Sequence, residues 1–107
     1  MIHFKSAAVR VDAIHREIWL AISIADEVYE DFGIYSLTVT SLNDGEHRKG
    51  SKHYDGEAAD LRIHNVPQAK RESLVARLAA KLGDDYDVAW ESKGKANEHV
   101  HLEFDPV

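Results

Sequence analysis

The sequence predicts an α+β domain: an antiparallel sheet with helices packed on one face and a groove on the other. Three observations predict it. Two stretches carry apolar residues three or four apart, the spacing of a helix with one buried face. Several shorter stretches alternate apolar and polar residues, the period of a half-buried strand. The strand phases also agree, so one sheet face collects Leu37, Val39, Leu61, Ile63, Val100, Leu102 and Phe104. The opposite face collects Thr38, Thr40, Asp60, Arg62, His99 and His101. Two amphipathic helices need the first surface to cover them, which leaves the second open.

The segment Met1 to Ser6 is short enough to be at most an edge strand. From Val11 to Phe32 the residues Val11, Ile14, Ile18, Ala21, Ile22, Ala25, Val28 and Phe32 form one helical stripe, and Gly33 stops it. Asp26, Glu27, Glu30 and Asp31 lie late in that helix, where its dipole disfavours them, and read as a solvated face. Ser36 to Leu42 is a β-branched, alternating strand. Asn43-Asp44-Gly45 turns the chain into a polar loop that runs to Lys52. Ala58 to His64 is the next strand. Asn65-Val66-Pro67 opens a second helix with Ala69, Leu74, Val75, Leu78, Ala79 and Leu82 as its stripe, and Gly83 closes it. Tyr86, Val88 and Trp90 mark a third strand. Lys93-Gly94-Lys95 turns, and His99 to Asp105 returns as the partner of a hairpin.

Composition narrows the function classes. With 107 residues, residues 1–107 form one domain with one core. Apolar content of 44% and charged content of 30% describe an ordinary globular chain. A formal net charge of -6 argues against nucleic acid as a partner and against docking to an anionic membrane. Zero cysteines removes disulfides and thiolate metal sites, so any metal must be held by His, Asp and Glu. No apolar run approaches a membrane span, and Met1 to Ser6 lacks the form of a secretory signal. The expectation is a chain made in the cytoplasm that reaches any external substrate through another factor.

Chemistry concentrates in two places. Ser51-Lys52-His53-Tyr54-Asp55-Gly56-Glu57-Ala58-Ala59-Asp60 offers an imidazole at His53 and a carboxylate at Asp60. Glu98-His99-Val100-His101 offers a second imidazole and another carboxylate. Three such ligands, with a fourth position left to water, distinguish a catalytic zinc from a structural one. Zinc held by His53, Asp60 and His101 would lower the pKa of its water to about 7, and Glu98 would move that water's proton. His47, Arg48, Ser51 and Arg62 are candidate donors to an oxyanion. Gly56 lets the backbone turn between His53 and the strand of Asp60.

Plainer readings exist. Seven histidines in a small chain cluster by chance, and E-x-x-H is a weak pattern alone. Residues 51–60 also read as a polar turn leading into a strand. His15 and His64 read as surface residues, and His3 is unassigned. By phase either His99 or His101 suits the ligand position; spacing from Glu98 favours His101. Glu98 has the wrong parity for the open face, so it is expected at the strand entrance or on a bulge.

The segment Ser51 to Asp60 resembles the S-x-H-x-x-G-x-A-x-D motif of the zinc D-alanyl-D-alanine carboxypeptidases and L-alanyl-D-glutamate endopeptidases. These peptidoglycan metallopeptidases share a fold with the hedgehog signalling domain. The E-x-x-H of Glu98 to His101 is similar to their second motif, and the likeness spans Leu37 to Phe104. The resemblance implies a Zn2+ enzyme that hydrolyses a bond in peptidoglycan stem peptides. It implies His53, Asp60 and His101 as zinc ligands, Glu98 as catalytic base, and Ser51 as a substrate or oxyanion contact. Relatives carry an arginine after the first strand. Here Thr40 to Gly45 has none, and His47 or Arg48 is the expected substitute. The small form resembles phage endolysins, with release by a partner such as a holin. A non-catalytic zinc-bearing binding module of the same fold is the alternative.

Overall fold

The computed structural model describes residues 1–42 and 56–106. In chain order its elements are β1 (Ile2–Phe4), α1 (Arg16–Asp31), β2 (Leu37–Ser41), β3 (Ala58–Arg62), α2 (Gln68–Leu82), β4 (Tyr86–Glu91) and β5 (His99–Phe104). The class is α+β, with five strands in the order β1-β2-β3-β5-β4.

The sheet is mixed, which corrects the expectation of a purely antiparallel one. β1 pairs parallel to β2, with Ile2 opposite Leu37 and Phe4 opposite Val39. The long connection through α1 makes this possible, because parallel neighbours need a crossover where antiparallel ones need only a turn. The β2–β3, β3–β5 and β4–β5 pairs are antiparallel.

A second correction concerns the first helix, which begins at Arg16 and not near Val11. Residues 6–13 turn instead, with Ala13 at φ 56. Val11 is exposed, so the three-four spacing before Ile14 continues the helical period without helix. The far end behaves as the sequence suggests. Gly33 takes φ 83, and the amides of Gly33 and Ile34 return to the carbonyls of Glu30 and Tyr29, both at 2.9 Å.

Both helices cover one sheet face. Ile18, Ala21, Ile22, Ala25 and Val28 of α1 and Leu74 and Leu78 of α2 pack on Leu37, Val39, Leu61, Ile63, Val100 and Leu102 as one buried cluster. Tyr29 is also fully buried there, and its hydroxyl donates to the Arg62 carbonyl at 2.8 Å. Burial pushes this phenol's pKa up. The bond ties α1 to the end of β3, the strand that carries Asp60. Among the described residues every buried side-chain nitrogen or oxygen has a hydrogen-bond partner. None of the described helices is long and apolar enough to cross a membrane.

Candidate metal centre

Strand alternation and register build the open face row by row. Asp60 lies opposite His101, and Arg62 lies opposite His99. On the far side of β5, Ala89 lies opposite His101, Glu91 opposite His99, and Asp87 opposite Glu103. The open face therefore carries Asp60, His101, His99, Glu91 and Glu103 together, on β5 and the one strand to either side of it. A register irregularity between Val39 and Ser41 of β2 adjoins Asp60, whose carbonyl accepts the Thr40 hydroxyl at 3.3 Å. Bulges of this kind re-aim side chains at a sheet's working edge.

Asp60 Oδ1 lies 2.9 Å from His101 Nδ1, and the other ring nitrogen, Nε2, lies 3.1 Å from Glu103 Oε1. Both side chains of the closer pair are mostly buried. Burial alone would lower the imidazole's pKa. The hydrogen bonds to Asp60 and Glu103, with the charges of Asp60 and Glu91, outweigh it and hold His101 up at about 9. Two carboxylates flanking one ring is also the arrangement that prepares a histidine for metal. One nitrogen faces the ligand partner while the other is oriented by an outer carboxylate. Two ligand atoms each about 2.0–2.1 Å from a tetrahedral zinc lie roughly 3.3 Å apart. The Asp60–His101 pair needs to open only slightly to meet that spacing.

Glu91 joins this group: ligand atoms of Asp60, Glu91 and His101 lie within 4.8 Å of one another. His99 stands further off. Its Nε2 is 3.7 Å from Asp60 Oδ1 and 3.1 Å from Glu91 Oε1, and its Nδ1 faces the Asn97 carbonyl at 2.7 Å. A ring nitrogen facing a carbonyl must carry the proton, so the ring is pinned between Asn97 and Glu91. Of the two histidines equal by phase, His101 is the one seated against Asp60.

Glu98 sits at the entrance of β5 and keeps the parity of Val100 and Leu102, so its side chain goes to the helix side. There Trp90 Nε1 donates to Oε2 at 2.7 Å, while Arg71 Nη1 and the Gly94 amide donate to Oε1 at 3.2 and 3.3 Å. Burial opposes ionisation, but these donors, led by Trp90 and Gly94 and joined by the charges of Arg71 and His64, hold its carboxyl below the ordinary value. Its hydrogen-bond partners among the described residues do not include Asp60 or His101. His47, Ser51 and His53 lie outside the described residues, as does the Ser51–Asp55 half of the first motif.

Glu91 and Glu103 are the site residues that sequence reasoning passed over. Glu103 shares the alternation phase of His101, and that signal was sufficient to find it. Glu91 required the β4–β5 register, which the sequence does not state. No known protein-family model matches the chain, and no curated protein matches it either.

Proposed function

We propose that the chain is a zinc-dependent peptidase that hydrolyses a peptide bond in bacterial peptidoglycan stem peptides, with the hedgehog-like architecture its motifs resemble. The observation that carries this reading is the Asp60–His101 pair, 2.9 Å apart on the open face with Glu103 holding the outer ring nitrogen. These groups fit zinc by type and by spacing, and His53 would complete the ligand set. When bound, zinc supplies a Lewis acid and a water acidic enough to serve as nucleophile at neutral pH.

Two carboxylates compete for the proton-transfer role. Glu98 has it by motif spacing. Glu91 has it by proximity to Asp60 and His101. Glu98→Gln and Glu91→Gln decide between them, because loss of turnover with zinc retained marks the base. Ser51 and His47 are assigned as substrate or oxyanion contacts on the resemblance alone.

The test is release of new amino groups from defined peptidoglycan by zinc-loaded protein, with mass spectrometry of the fragments. Cleavage after L-alanine separates the endopeptidase type from the carboxypeptidase type, which frees terminal D-alanine. One observation favours the second reading, a non-catalytic zinc-bearing module: both oxygens of Glu98 are occupied by Trp90, Arg71 and Gly94. One zinc per chain, wall binding and no fragment released is the result that selects it.

A further inference from the structure

We infer that the two outer strands of the sheet are complementary docking edges, and that a second copy of this chain adds its β4 beside β1 as an antiparallel neighbour. The inference stands apart from the metal reading, because none of its contacts uses Asp60, Glu91, His99 or His101.

Among the described residues, strand order leaves β1 and β4 outermost. An outer strand presents amides and carbonyls to any chain that can align with them. The inward bonds say which residues do so. The Leu37 amide donates to the Met1 carbonyl and the Lys5 amide to the Val39 carbonyl, both at 2.9 Å, so the backbone of residues 1, 3 and 5 faces β2. The amides and carbonyls of Ile2 and Phe4 therefore point outward. On β4, the Asp105 amide donates to the Asp85 carbonyl at 2.8 Å, which turns Asp87, Ala89 and Glu91 toward β5 and Val88 and Trp90 outward. Tyr86 shares the outward phase, but its amide is taken by the Gly83 carbonyl at 3.3 Å.

Strand direction and side-chain phase fix the match. β2 runs parallel to β1, and the three antiparallel steps from β2 to β4 make β4 run opposite to β1. A copy placed alongside, with its helices on the same side, thus presents β4 antiparallel to β1. Setting Ile2 opposite Trp90 and Phe4 opposite Val88 lets each pair exchange both backbone bonds and leaves Tyr86 with Gly83. All four side chains lie on the helix side. Ile2 and Phe4 are 37% and 41% exposed, and Phe4 stands edge-on to Trp19 with ring centroids 6.2 Å apart. Val88 and Trp90 are half-buried. Aromatic and aliphatic pairs of this kind stabilise neighbouring strands.

Charge on the open side selects the partner. The same register sets Lys5 opposite Asp87, with His3 diagonal to it. β1 holds no acidic residue and β4 no basic one. Pairings of like edges gain nothing comparable. β1 against a second β1 sets His3 against itself, and β4 against a second β4 about Val88 sets Asp85 against Glu91. β1 is three residues long, so the contact is small and belongs to the weak, transient class. Joined head to tail, each added copy leaves a fresh β1 and a fresh β4, and the assembly stays open-ended.

Sedimentation equilibrium of the full chain over a concentration series is the test. The weight-average mass should climb past the dimer without a plateau, and a chelator should leave it unchanged. Lys5→Glu or Asp87→Lys should lower the association constant about fivefold or more, the effect of turning one cross-strand attraction into a repulsion. Both reversals in one chain should restore it. Phe4→Pro and Val88→Pro each remove an outward amide that the sheet itself does not use. Each should stay monomeric alone. Their equimolar mixture should stop at a heterodimer, joined through β4 of the first and β1 of the second. If a proline variant does not fold, the charge reversals decide, since Lys5 and Asp87 are both exposed. A wild type that stays monomeric at the highest concentration overturns the inference. So does a mass that stops at the dimer, or association indifferent to either reversal, because both mark pairing of like edges. Association that a chelator abolishes puts a metal between the copies and overturns edge pairing as well. The readout is mass and not cleavage, so each of these results leaves the peptidase reading to its own test.

Discussion

Arg71 of α2 and Glu98 at the start of β5 form an ion pair on the helix side of the sheet, Nη1 to Oε1 3.2 Å, with both side chains largely buried. The same guanidinium donates to the Val66 carbonyl at 2.7 Å and the His64 carbonyl at 3.3 Å. It thus fastens the β3–α2 connection to the β4–β5 turn. Removing Arg71 takes the counter-charge from a buried carboxylate, which keeps only the Trp90 and Gly94 donors, and takes this donor from the Val66 and His64 carbonyls. Arg71→Met, which keeps the aliphatic stem, should lower stability by about 3 kcal/mol. Urea unfolding at pH 7 measures it, and a loss under about 1 kcal/mol would mean water already serves these groups.

The pH dependence follows from the same carboxylate. Its donors depress the folded-state pKa below the ordinary 4.5, so ionised Glu98 contributes stability that is fully present above pH 4.5. That contribution disappears as pH falls through the depressed value, because the unfolded chain then binds the proton first. Glu98→Gln removes the titration. The stability gap between wild type and Glu98→Gln should therefore be widest at neutral pH and narrow below pH 4.5. A gap that widens on acidification has the wrong sign for this carboxylate.

Much of the site could be read from alternation alone. Asp60 and His101 share the open face because each sits opposite an apolar phase that the core demands, and a one-residue slip would bury both charges. The hairpin was legible from Lys93-Gly94-Lys95 between two alternating runs. Two features were not. β1 has three exposed residues, which carry no pattern that distinguishes a parallel partner from an antiparallel one. The early start expected for α1 came from Val11 and Ile14. Ile14 does pack against the core, but from a turn, where apolar spacing mimics a helix without its hydrogen bonds. Glu98 shows two signals in conflict. Motif spacing directs it to the metal, parity directs it to the helices, and in the folded chain parity prevails.

Metal removal tests the pair directly. Protein purified without a histidine tag should hold one zinc per chain and lose it to a chelator. At a hundredfold excess of zinc over Kd, binding adds about 2.7 kcal/mol. For a chain of this size that raises Tm by roughly 10 °C or more. Asp60→Ala and His101→Ala should abolish both the bound zinc and the shift, while remaining folded because both residues lie on the open face. A Tm that is indifferent to zinc rules out a specific centre.

Glu103 should matter through His101 and not through the metal. Its carboxylate lies 3.1 Å from Nε2, the nitrogen turned away from Asp60. Outer carboxylates of this kind fix the tautomer and orientation of the ring, and their loss costs about 10–100-fold in metal affinity. Glu103→Gln, whose amide oxygen still accepts from the ring, should lose less than Glu103→Ala. Competition with a chromogenic chelator gives the two affinities. Equal loss in both variants points to charge, and unchanged affinity in both removes Glu103 from the site.

Gly56 tests whether the strand of Asp60 depends on the turn before it. The residue takes φ 72, and its carbonyl accepts the His15 amide at 3.0 Å, joining the start of α1 to the approach to β3. A side chain at this position faces two penalties. The positive φ costs an L-residue roughly 1–2 kcal/mol. A Cβ would also collide with the Ala13 carbonyl, a backbone atom that cannot rotate aside. Gly56→Ala should therefore destabilise the chain by more than about 2 kcal/mol, above the conformational cost alone. Because the displaced backbone leads directly into Ala58–Arg62, zinc affinity should fall with it. Gly33→Ala is the control: its φ of 83 carries the same conformational cost, but nothing lies within 4 Å of the added methyl. A difference between the two variants in both stability and zinc affinity assigns the effect to the Ala13 contact. Identical losses would reduce Gly56 to an ordinary turn residue.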